Sequence, residues 1–219
     1  ARASQRSATR PTTAPTTKGD EPATAKGAQT RQAILRAAIE RFGRDGFRAS
    51  SVADIARDAD VGSTVTYAYF PNKEALFLAA LDEDAAAVIQ EGVSHIFDDD
   101  GKAWRDTLLI TLVDAVERHP LARRVLAGLE PHVTERMIEI PALSELRKAV
   151  ADRLRADQLA GNVRDDIDAD RIAGGSITII LALLMAVLQV GRGAAESYGL
   201  DVFAVFEAAL DPYPLPPEA

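Results

Sequence analysis

The 219-residue sequence predicts an all-α protein, and three features support that fold class. Apolar residues recur at the three- and four-residue spacing of a helix face, as at Ile34, Leu35, Ala38, Ile39 and Phe42. The two-residue alternation that is typical of half-buried strands does not occur in the sequence. Prolines and glycines end several of the periodic segments, where they interrupt helices. We therefore expect an N-terminal three-helix head followed by a larger helical body.

The N-terminal part of the chain differs from the rest in composition and in charge. Residues 1–27 are mostly Ala, Thr, Ser, Pro, Arg and Lys, so they cannot bury enough surface to order, and we expect a disordered basic tail. The net charge is −8, yet residues 1–48 carry ten Lys/Arg and four Asp/Glu, against 15 and 29 in the rest. An acidic body with a basic head is common in proteins that present one end to phosphates, although a solvated basic tail gives the same pattern.

Residues 28–74 predict the three helices of the head. The first begins near Thr30 and ends at Gly43 and Gly46. The second follows Ser51, which forms a capping-box pattern with Asp54. The third follows after a short turn, with Gly62 or Ser63 as its cap, and must end before Pro71. Two short helices joined by about four residues predict a helix-turn-helix.

Residues 75–211 predict a helical body, and residues 212–219 a Pro-rich tail. Asn72 is expected to cap the first body helix, and His119 to cap a helix end rather than bind a metal. The expected helices run over Lys73 to Phe97, Trp104 to Arg118, Leu121 to Leu129, Pro141 to Leu159, Asp168 to Val190 and Asp201 to Leu210. The longest apolar run, Ile177 to Leu188, is shorter than the roughly 18 residues that a membrane span needs, so we expect a buried helix and no membrane partner.

Composition argues against several kinds of site. The sequence has no cysteine, which excludes disulfides and thiolate zinc sites and fits the reducing cytoplasm, where we expect the protein to reside. The three histidines, His95, His119 and His132, have no ligand partner at i+3 or i+4, so no metal is expected. No catalytic triad order, glycine-rich phosphate loop or carboxylate pair stands out. We therefore expect neither an enzyme nor a bound cofactor.

The third helix carries an unusual mixture of hydroxyl and aromatic side chains. If it lies on the first two helices, Val61, Val65 and Phe70, with Thr66 between them, can face inward. Ser63, Thr64 and Tyr67 then face outward, one turn apart, and Tyr69 lies at the edge. Small hydroxyl groups at a helix N-terminus, followed by a phenol, suit insertion into the major groove of DNA.

The segment "ILRAAIERFGRDGFRASSVADIARDADVGSTVTYAYFPNKEALFLAAL", residues 34–81, resembles the DNA-binding head of the TetR family of bacterial transcriptional regulators. Three motifs occur in the family's order and spacing, over about a fifth of the chain. They are the Phe-x-x-x-Gly-Phe segment between the first two helices, the "SVADIA" helix, and the final Tyr-x-Tyr-Phe-x-x-Lys-Glu-x-Leu motif. Two positions differ. Asp60 stands where the family usually has a turn glycine, at a position that is expected to need positive φ, and Gly62 stands where it usually has Ser or Thr.

The resemblance implies roles for individual residues of the head. Ser63, Thr64 and Val65 would face bases, while Tyr67, Tyr69 and Lys73 would contact phosphates. Ser51 would touch the DNA backbone from the second helix. Arg48 is added because of its position before that helix. The alternatives are that Tyr69 packs in the core and that Arg48 is merely solvated.

The resemblance also implies a body that binds a small molecule and pairs with a second subunit. The candidate ligand-binding residues are apolar and soft side chains, which could equally fill a core: Phe97, Trp104, Leu108, Leu112, Met137 and Met185. The apolar segment from Gly174 to Gly191 is the candidate dimer surface. The implied function is a homodimeric repressor that binds a palindromic operator in double-stranded DNA and is released by a small apolar ligand. The alternatives are a helical interaction protein, or an enzyme, with a basic head that does not bind DNA.

Overall fold

A computed structural model describes residues 21–94, 96, 103–133 and 139–212, and over these ranges the chain is helical with no strand. One turn of 3-10 helix, Pro131–Val133, follows the sixth α-helix. The all-α prediction is confirmed. In chain order the α-helices are α1 Glu21–Ala49, α2 Val52–Asp58, α3 Ser63–Tyr69, α4 Lys73–Ser94, α5 Ala103–Arg118, α6 Pro120–Leu126, α7 Pro141–Leu159, α8 Ala169–Val190 and α9 Arg192–Leu210.

Several helix ends differ from the sequence expectation. Helix α1 begins at Glu21 rather than near Thr30, so residues 21–27 of the expected tail are helical; this segment is alanine-rich, with an acidic residue and a proline in the first turn. Residues 1–20 and 213–219 lie outside the described residues. Helix α9 begins at Arg192 rather than Asp201, because two glycines obscure its pattern although it packs against α8. Helices α4 and α6 each end three residues early.

The helix-turn-helix is fixed by local caps. The Ser51 hydroxyl accepts a hydrogen bond from the N–H of Asp54 at 3.1 Å, which confirms the predicted cap of α2. Asp60 in the turn has φ of 54°, the left-handed conformation that the sequence predicted there. Gly62 is the N-cap of α3. Asn72 accepts from the N–H of Ala75 at 2.7 Å and so caps α4 as predicted.

Helix α1 joins the head to the body because it packs against both α4 and α6. The Phe42 ring meets the Phe77 ring of α4 edge to face, with centroids 5.0 Å apart. Gly43 lies within α1 rather than ending it. A Cβ at this position would lie 2.6 Å from Cβ of Pro120, so the glycine permits close approach of α6. Gly46, with φ of 83°, introduces a kink before Phe47 turns back onto Phe77.

The body core is built from α4 to α8 and includes a buried polar cluster formed by Trp104, Arg153 and Asp157. Trp104 Nε1 donates to Asp157 Oδ2 at 2.8 Å, and Arg153 Nε donates to Asp157 Oδ1 at 3.1 Å. Arg153 also donates to the carbonyl oxygen of Ile96. The Asp157 carboxylate thereby satisfies the indole of the protein's only tryptophan, which can then pack inside.

Helix α8 is buried on one face only. Ala173, Ile177 and Ile180 pack inward, whereas Ile179 and Val190 are exposed. Its 22 residues are long and apolar enough to cross a membrane by length and composition. The mean hydropathy of its most apolar 18-residue window is 2.2, and 28% of that window is buried. The expectations of a run too short to span and of a buried helix are therefore wrong. The helix extends beyond its most apolar run at both ends, and among the described residues its main packing partners are α7, α9 and α6.

Candidate functional site

The outer face of α3 presents hydroxyl, aliphatic and aromatic side chains side by side. Thr64 is exposed and Ser63 is half-buried. The side chains of Val65 and Tyr67 are large apolar groups in contact with solvent, at 41% and 52% exposure. Exposed apolar side chains of this size on one short helix are typical of a surface that binds a partner.

The inward face of α3 differs from the geometric expectation at one position. Thr66, not Val65, occupies the buried position and is fully inaccessible to solvent, and Phe70 is also buried, at 4% exposure. Gly62 caps the helix and accepts from the N–H of Thr66 at 3.2 Å, which sets the phase so that residues 66 and 70, four apart, share the inner side. Val65 therefore lies on the outer face, where the family resemblance places it.

Two further candidates, Arg48 and Ser51, precede α2 in the chain. Arg48 is exposed in the last turn of α1. The Ser51 hydroxyl is already engaged, since it accepts from the Asp54 N–H and donates to Asp54 Oδ2 at 2.7 Å. This hydrogen bond, followed by one from Arg57, lowers the pKa of the Asp54 carboxyl.

The remaining two candidates for phosphate contact have protein neighbours. Tyr69 is 36% exposed, and its hydroxyl lies beside Gly27 near the start of α1. Lys73 Nζ donates to the carbonyl oxygen of Ser50 at 2.9 Å and lies 4.4 Å from the centre of the Phe47 ring. The ammonium group of Lys73 thus ties the start of α4 to the end of α1.

A cavity in the body lies between α4, α5, α6, α7 and α8. It has a free volume of about 70 Å³ and is lined entirely by aliphatic side chains. The lining residues are Leu81, Ala85, Val88, Ile89, Leu112, Val116, Ala122, Val125, Leu126, Ile140, Leu143, Leu146, Ile177, Ile180, Leu181 and Leu184. Such a cavity can take an apolar group and offers no side-chain hydrogen bond to a polar one.

The six residues predicted to bind ligand are distributed unevenly around the body. Leu112 lines the aliphatic cavity, whereas Trp104 and Leu108 line a smaller cavity beside it, of about 20 Å³. Met185 packs against the core and lines neither cavity. Phe97 and Met137 lie outside the described residues.

Sequence reasoning missed a buried carboxylate on α4. Asp84 accepts hydrogen bonds from the N–H groups of Leu121 and Ala122, at 3.0 and 2.8 Å, and so caps the N-terminus of α6. His119 contacts Asp84 through Nδ1 at 2.8 Å and Glu91 through Nε2 at 3.1 Å, so its ring bridges two carboxylates of α4 instead of capping a helix C-terminus. The available signal was the spacing of Asp84 from Leu81 and Val88, which places it on the apolar face. Among the described residues, no cluster of His, Asp and Glu is suited to hold a metal.

Comparison with known proteins identifies the family. Residues 34–80 match the sequence pattern of the bacterial regulatory proteins of the TetR family. The chain is 30% identical over 149 residues to the HTH-type transcriptional repressor NicS of Pseudomonas putida, covering 64% of this chain and 68% of NicS. It is 28% identical over 179 residues to the HTH-type transcriptional repressor SCO4008 of Streptomyces coelicolor, covering 78% and 88% of the two chains.

A solved structure shows the same fold. The crystal structure of a TetR-family transcriptional regulator from Pectobacterium atrosepticum superposes with a TM-score of 0.66 over 87% of this chain and 98% of that one, at 16% identity. The helix-turn-helix and the helical body fit these relatives, which are transcriptional regulators and not enzymes. The chain belongs to the TetR family of DNA-binding transcriptional regulators.

Proposed function

We propose that the protein is a cytoplasmic, homodimeric repressor that binds a palindromic operator through α3 and leaves it when the body binds a small, mainly apolar molecule. The outer face of α3 carries this proposal, because Thr64, Val65 and Tyr67 are accessible together at the start and middle of the helix. Both relatives described above are named repressors, which supports repression rather than activation.

The DNA contacts are assigned by chemistry and position. Ser63, Thr64 and Val65, in the first turn of α3, would contact base edges, where short side chains allow close approach. Tyr67 and the exposed Arg48 would contact phosphates on either side of the groove. Because Tyr69, Lys73 and Ser51 also hold internal contacts, they would contribute to DNA binding mainly by orienting α2 and α3.

We infer the chemical class of the effector from the lining of the aliphatic cavity. Its aliphatic lining favours a hydrocarbon or aromatic group, and burial of such a group is worth about 25 cal/mol per Å² of apolar surface. A free volume of about 70 Å³ implies that the body expands when a ligand of ordinary size enters.

Helix α4 provides the route from cavity to DNA. Its residues Leu81, Val88 and Ile89 line the cavity, while its first residue follows α3 after only three intervening positions. Helices α1 and α4 also hold together through a hydrogen bond of 2.7 Å between Gln32 Nε2 and Glu83 Oε1. Expansion of the cavity would therefore tilt α4 and the head with it, so that ligand and DNA oppose each other.

The dimer is assigned to the exposed side of α8 and α9. Large apolar residues are open to solvent there in the single chain, namely Ile179, Val190, Tyr198, Leu200 and Val205. Pairing of two copies would cover them and set two heads about 34–36 Å apart, the spacing of successive major grooves.

The test is a binding titration on the DNA upstream of the protein's own gene, with footprinting to find a palindrome. Tyr67→Ala and Val65→Ala should each weaken operator binding by about tenfold or more while the unfolding temperature stays within a few degrees. Leu159→Ala is the matched control, because Leu159 is 93% exposed and belongs to α7 of the body. If Tyr67→Ala and Leu159→Ala bind the operator with equal affinity, α3 is not the DNA-reading helix.

A further inference from the structure

Arg105 on α5 is a buried cation whose hydrogen-bonding capacity is largely unused. Its side chain is 9% exposed, and neither Nε nor Nη2 has a hydrogen-bond partner among the residues that the structure describes. Only Nη1 reaches an acceptor, Asp211 Oδ1, at 3.4 Å. The charge of Arg105 is thus paired with Asp211, but two buried donors of the same guanidinium have no acceptor among the described residues. Because a buried donor without an acceptor is unfavourable, the arrangement calls for a further acceptor at Nε and Nη2.

The side chain that carries these unused donors lies at the wall of a cavity. Arg105 lines the smaller cavity together with Trp104, Leu108, Leu154, Ser176 and Phe206, so that Ser176 is its other polar lining residue. Ile177 and Ile180 line this cavity and the aliphatic cavity as well. The two cavities are therefore adjacent and share these two isoleucines. Arg105 supplies a cation in the smaller cavity, and the larger cavity, between α4 and α8, is aliphatic.

The geometry of the free donors selects the anion. Nε–H and one N–H of Nη2 point the same way along one edge of the guanidinium plane, and this pair matches the two oxygens of a carboxylate. A phosphate ester carries more charge and more oxygens than one guanidinium and one hydroxyl can satisfy in an otherwise apolar cavity.

We propose that Arg105 binds the carboxylate of the effector, and that the effector is an amphipathic carboxylic acid whose hydrocarbon part occupies the aliphatic cavity. This inference rests on the proposed effector-binding function of the body and specifies the ligand class. Asp211 competes for the same guanidinium, so the ligand carboxylate would replace it at the end of α9.

The protein carries its own reporter for the test. Trp104 is the only tryptophan and lines the same cavity as Arg105, so its fluorescence responds to occupancy there. The full-length protein is titrated at pH 7 with octanoate and with 1-octanol, which share a hydrocarbon chain and differ in charge. The wild type should bind octanoate at least tenfold more tightly than 1-octanol, and octanoate should also raise its unfolding temperature.

Three variants separate the charge from the packing. Arg105→Gln should weaken octanoate binding at least tenfold and leave 1-octanol binding within about twofold; Arg105→Lys, which keeps the charge but loses the planar fork, should fall between. Asp211→Asn should tighten octanoate binding, because the competing negative charge is removed. Arg155→Gln is the matched control, since Arg155 on α7 is half-exposed and lines neither cavity.

The outcomes distinguish this inference from the proposed function. Equal binding of octanoate and 1-octanol, an unchanged preference in Arg105→Gln, or no saturable response to either compound would overturn the carboxylate site. If 1-octanol alone binds and releases operator DNA, the repressor mechanism stands and the Arg105 site fails. If octanoate binds through Arg105 but operator affinity does not change, the Arg105 site stands and the proposed release mechanism fails.

Discussion

Glu130, in the segment that follows α6, accepts a hydrogen bond from the main-chain N–H of Phe47 at 3.1 Å. The same carboxylate oxygen accepts from Arg124 Nε at 2.7 Å, and Glu130 is buried. Phe47 follows the kink at Gly46, where φ is 83° and a Cβ would lie 2.7 Å from Oε1 of Glu130. A side chain of the body thus holds the end of α1 in the conformation that leads into the helix-turn-helix.

Glu130→Ala should therefore destabilise the protein. The change leaves the half-buried Arg124 and the Phe47 N–H without their acceptor, and we expect the free energy of unfolding to fall by about 2–3 kcal/mol. Urea denaturation checks this. Glu145→Ala, at an exposed position of α7, should stay within about 0.5 kcal/mol of the wild type. Equal losses in the two variants would mean that Glu130 does not link body and head.

Features set by local sequence were predicted well. The bounds of α7 match the expected Pro141 to Leu159, because proline is favoured in the first helical turn and the apolar period is regular. The caps at Ser51 and Asn72 involve residues only three positions apart, so their signals lie within one short segment.

Contacts between distant segments could not be predicted in the same way. Glu130 and Phe47 are 83 residues apart, and Lys73 and Ser50 are 23 apart, so no periodicity relates them. Asp84 was overlooked for the same reason, since its partners on α6 lie 37 and 38 positions away. The sequence pattern predicted Val65 rather than Thr66 as the inward residue of α3. Seven residues make barely two turns, so the cap at Gly62, and not the apolar pattern, determines which side chains of α3 face inward.

Lys73→Met should affect stability as well as DNA binding. The ammonium group donates to the Ser50 carbonyl, and its loss should lower the free energy of unfolding by about 1–2 kcal/mol. If Lys73 also contacts a phosphate, binding should weaken for all DNA sequences alike, and the slope of log affinity against log salt should fall by about one unit. The exposed Arg48 provides the comparison, because Arg48→Met should change the salt slope alone. A Lys73→Met protein with wild-type stability would show that the Ser50 contact contributes nothing.

The left-handed turn residue offers a test of backbone strain. At Asp60, with φ of 54°, Asp60→Ala should be less stable than Asp60→Gly by about 1 kcal/mol, because alanine has a Cβ and no side-chain hydrogen bond to offset the left-handed conformation. Asp60→Gly should lie close to the wild type, since relief of strain is opposed by greater freedom of the unfolded chain. Thermal unfolding measures both. A more stable Asp60→Ala variant would indicate that the turn adopts another conformation.

The cap of α2 should make stability depend on pH. The Ser51 hydroxyl, and then Arg57, hold the pKa of Asp54 below its usual range, so the unfolded chain binds this proton more tightly than the folded one. The stabilising contribution is therefore present above the unfolded pKa, near pH 4 and higher, and is lost as pH falls through the lower folded value. The unfolding temperature of the wild type should exceed that of Asp54→Asn at pH 6, and the difference should shrink toward pH 3. Ser51→Ala removes the main cause, so a Ser51→Ala protein that keeps the full pH-dependent difference would contradict this assignment.

The close approach of α1 and α6 at Gly43 gives a prediction that joins stability to DNA binding. In Gly43→Ala the new Cβ would lie 2.6 Å from Cβ and 2.8 Å from the carbonyl carbon of Pro120. These atoms belong to the ring and backbone of the first residue of α6 and cannot rotate away, so the helices must separate. We expect a loss of about 1–3 kcal/mol in the free energy of unfolding.

Separation of α1 from α6 should also move the head relative to the body, and hence the spacing of the two heads in a dimer. Operator affinity should therefore fall by more than the fraction of unfolded protein explains. Gly27→Ala is the matched control, because it lies in the same helix and its Cβ would meet the Tyr69 hydroxyl at an ordinary 3.5 Å. That variant should equal the wild type or gain up to about 1 kcal/mol from helix propensity. If Gly43→Ala unfolds like Gly27→Ala and binds operator normally, the α1–α6 contact does not set the position of the head.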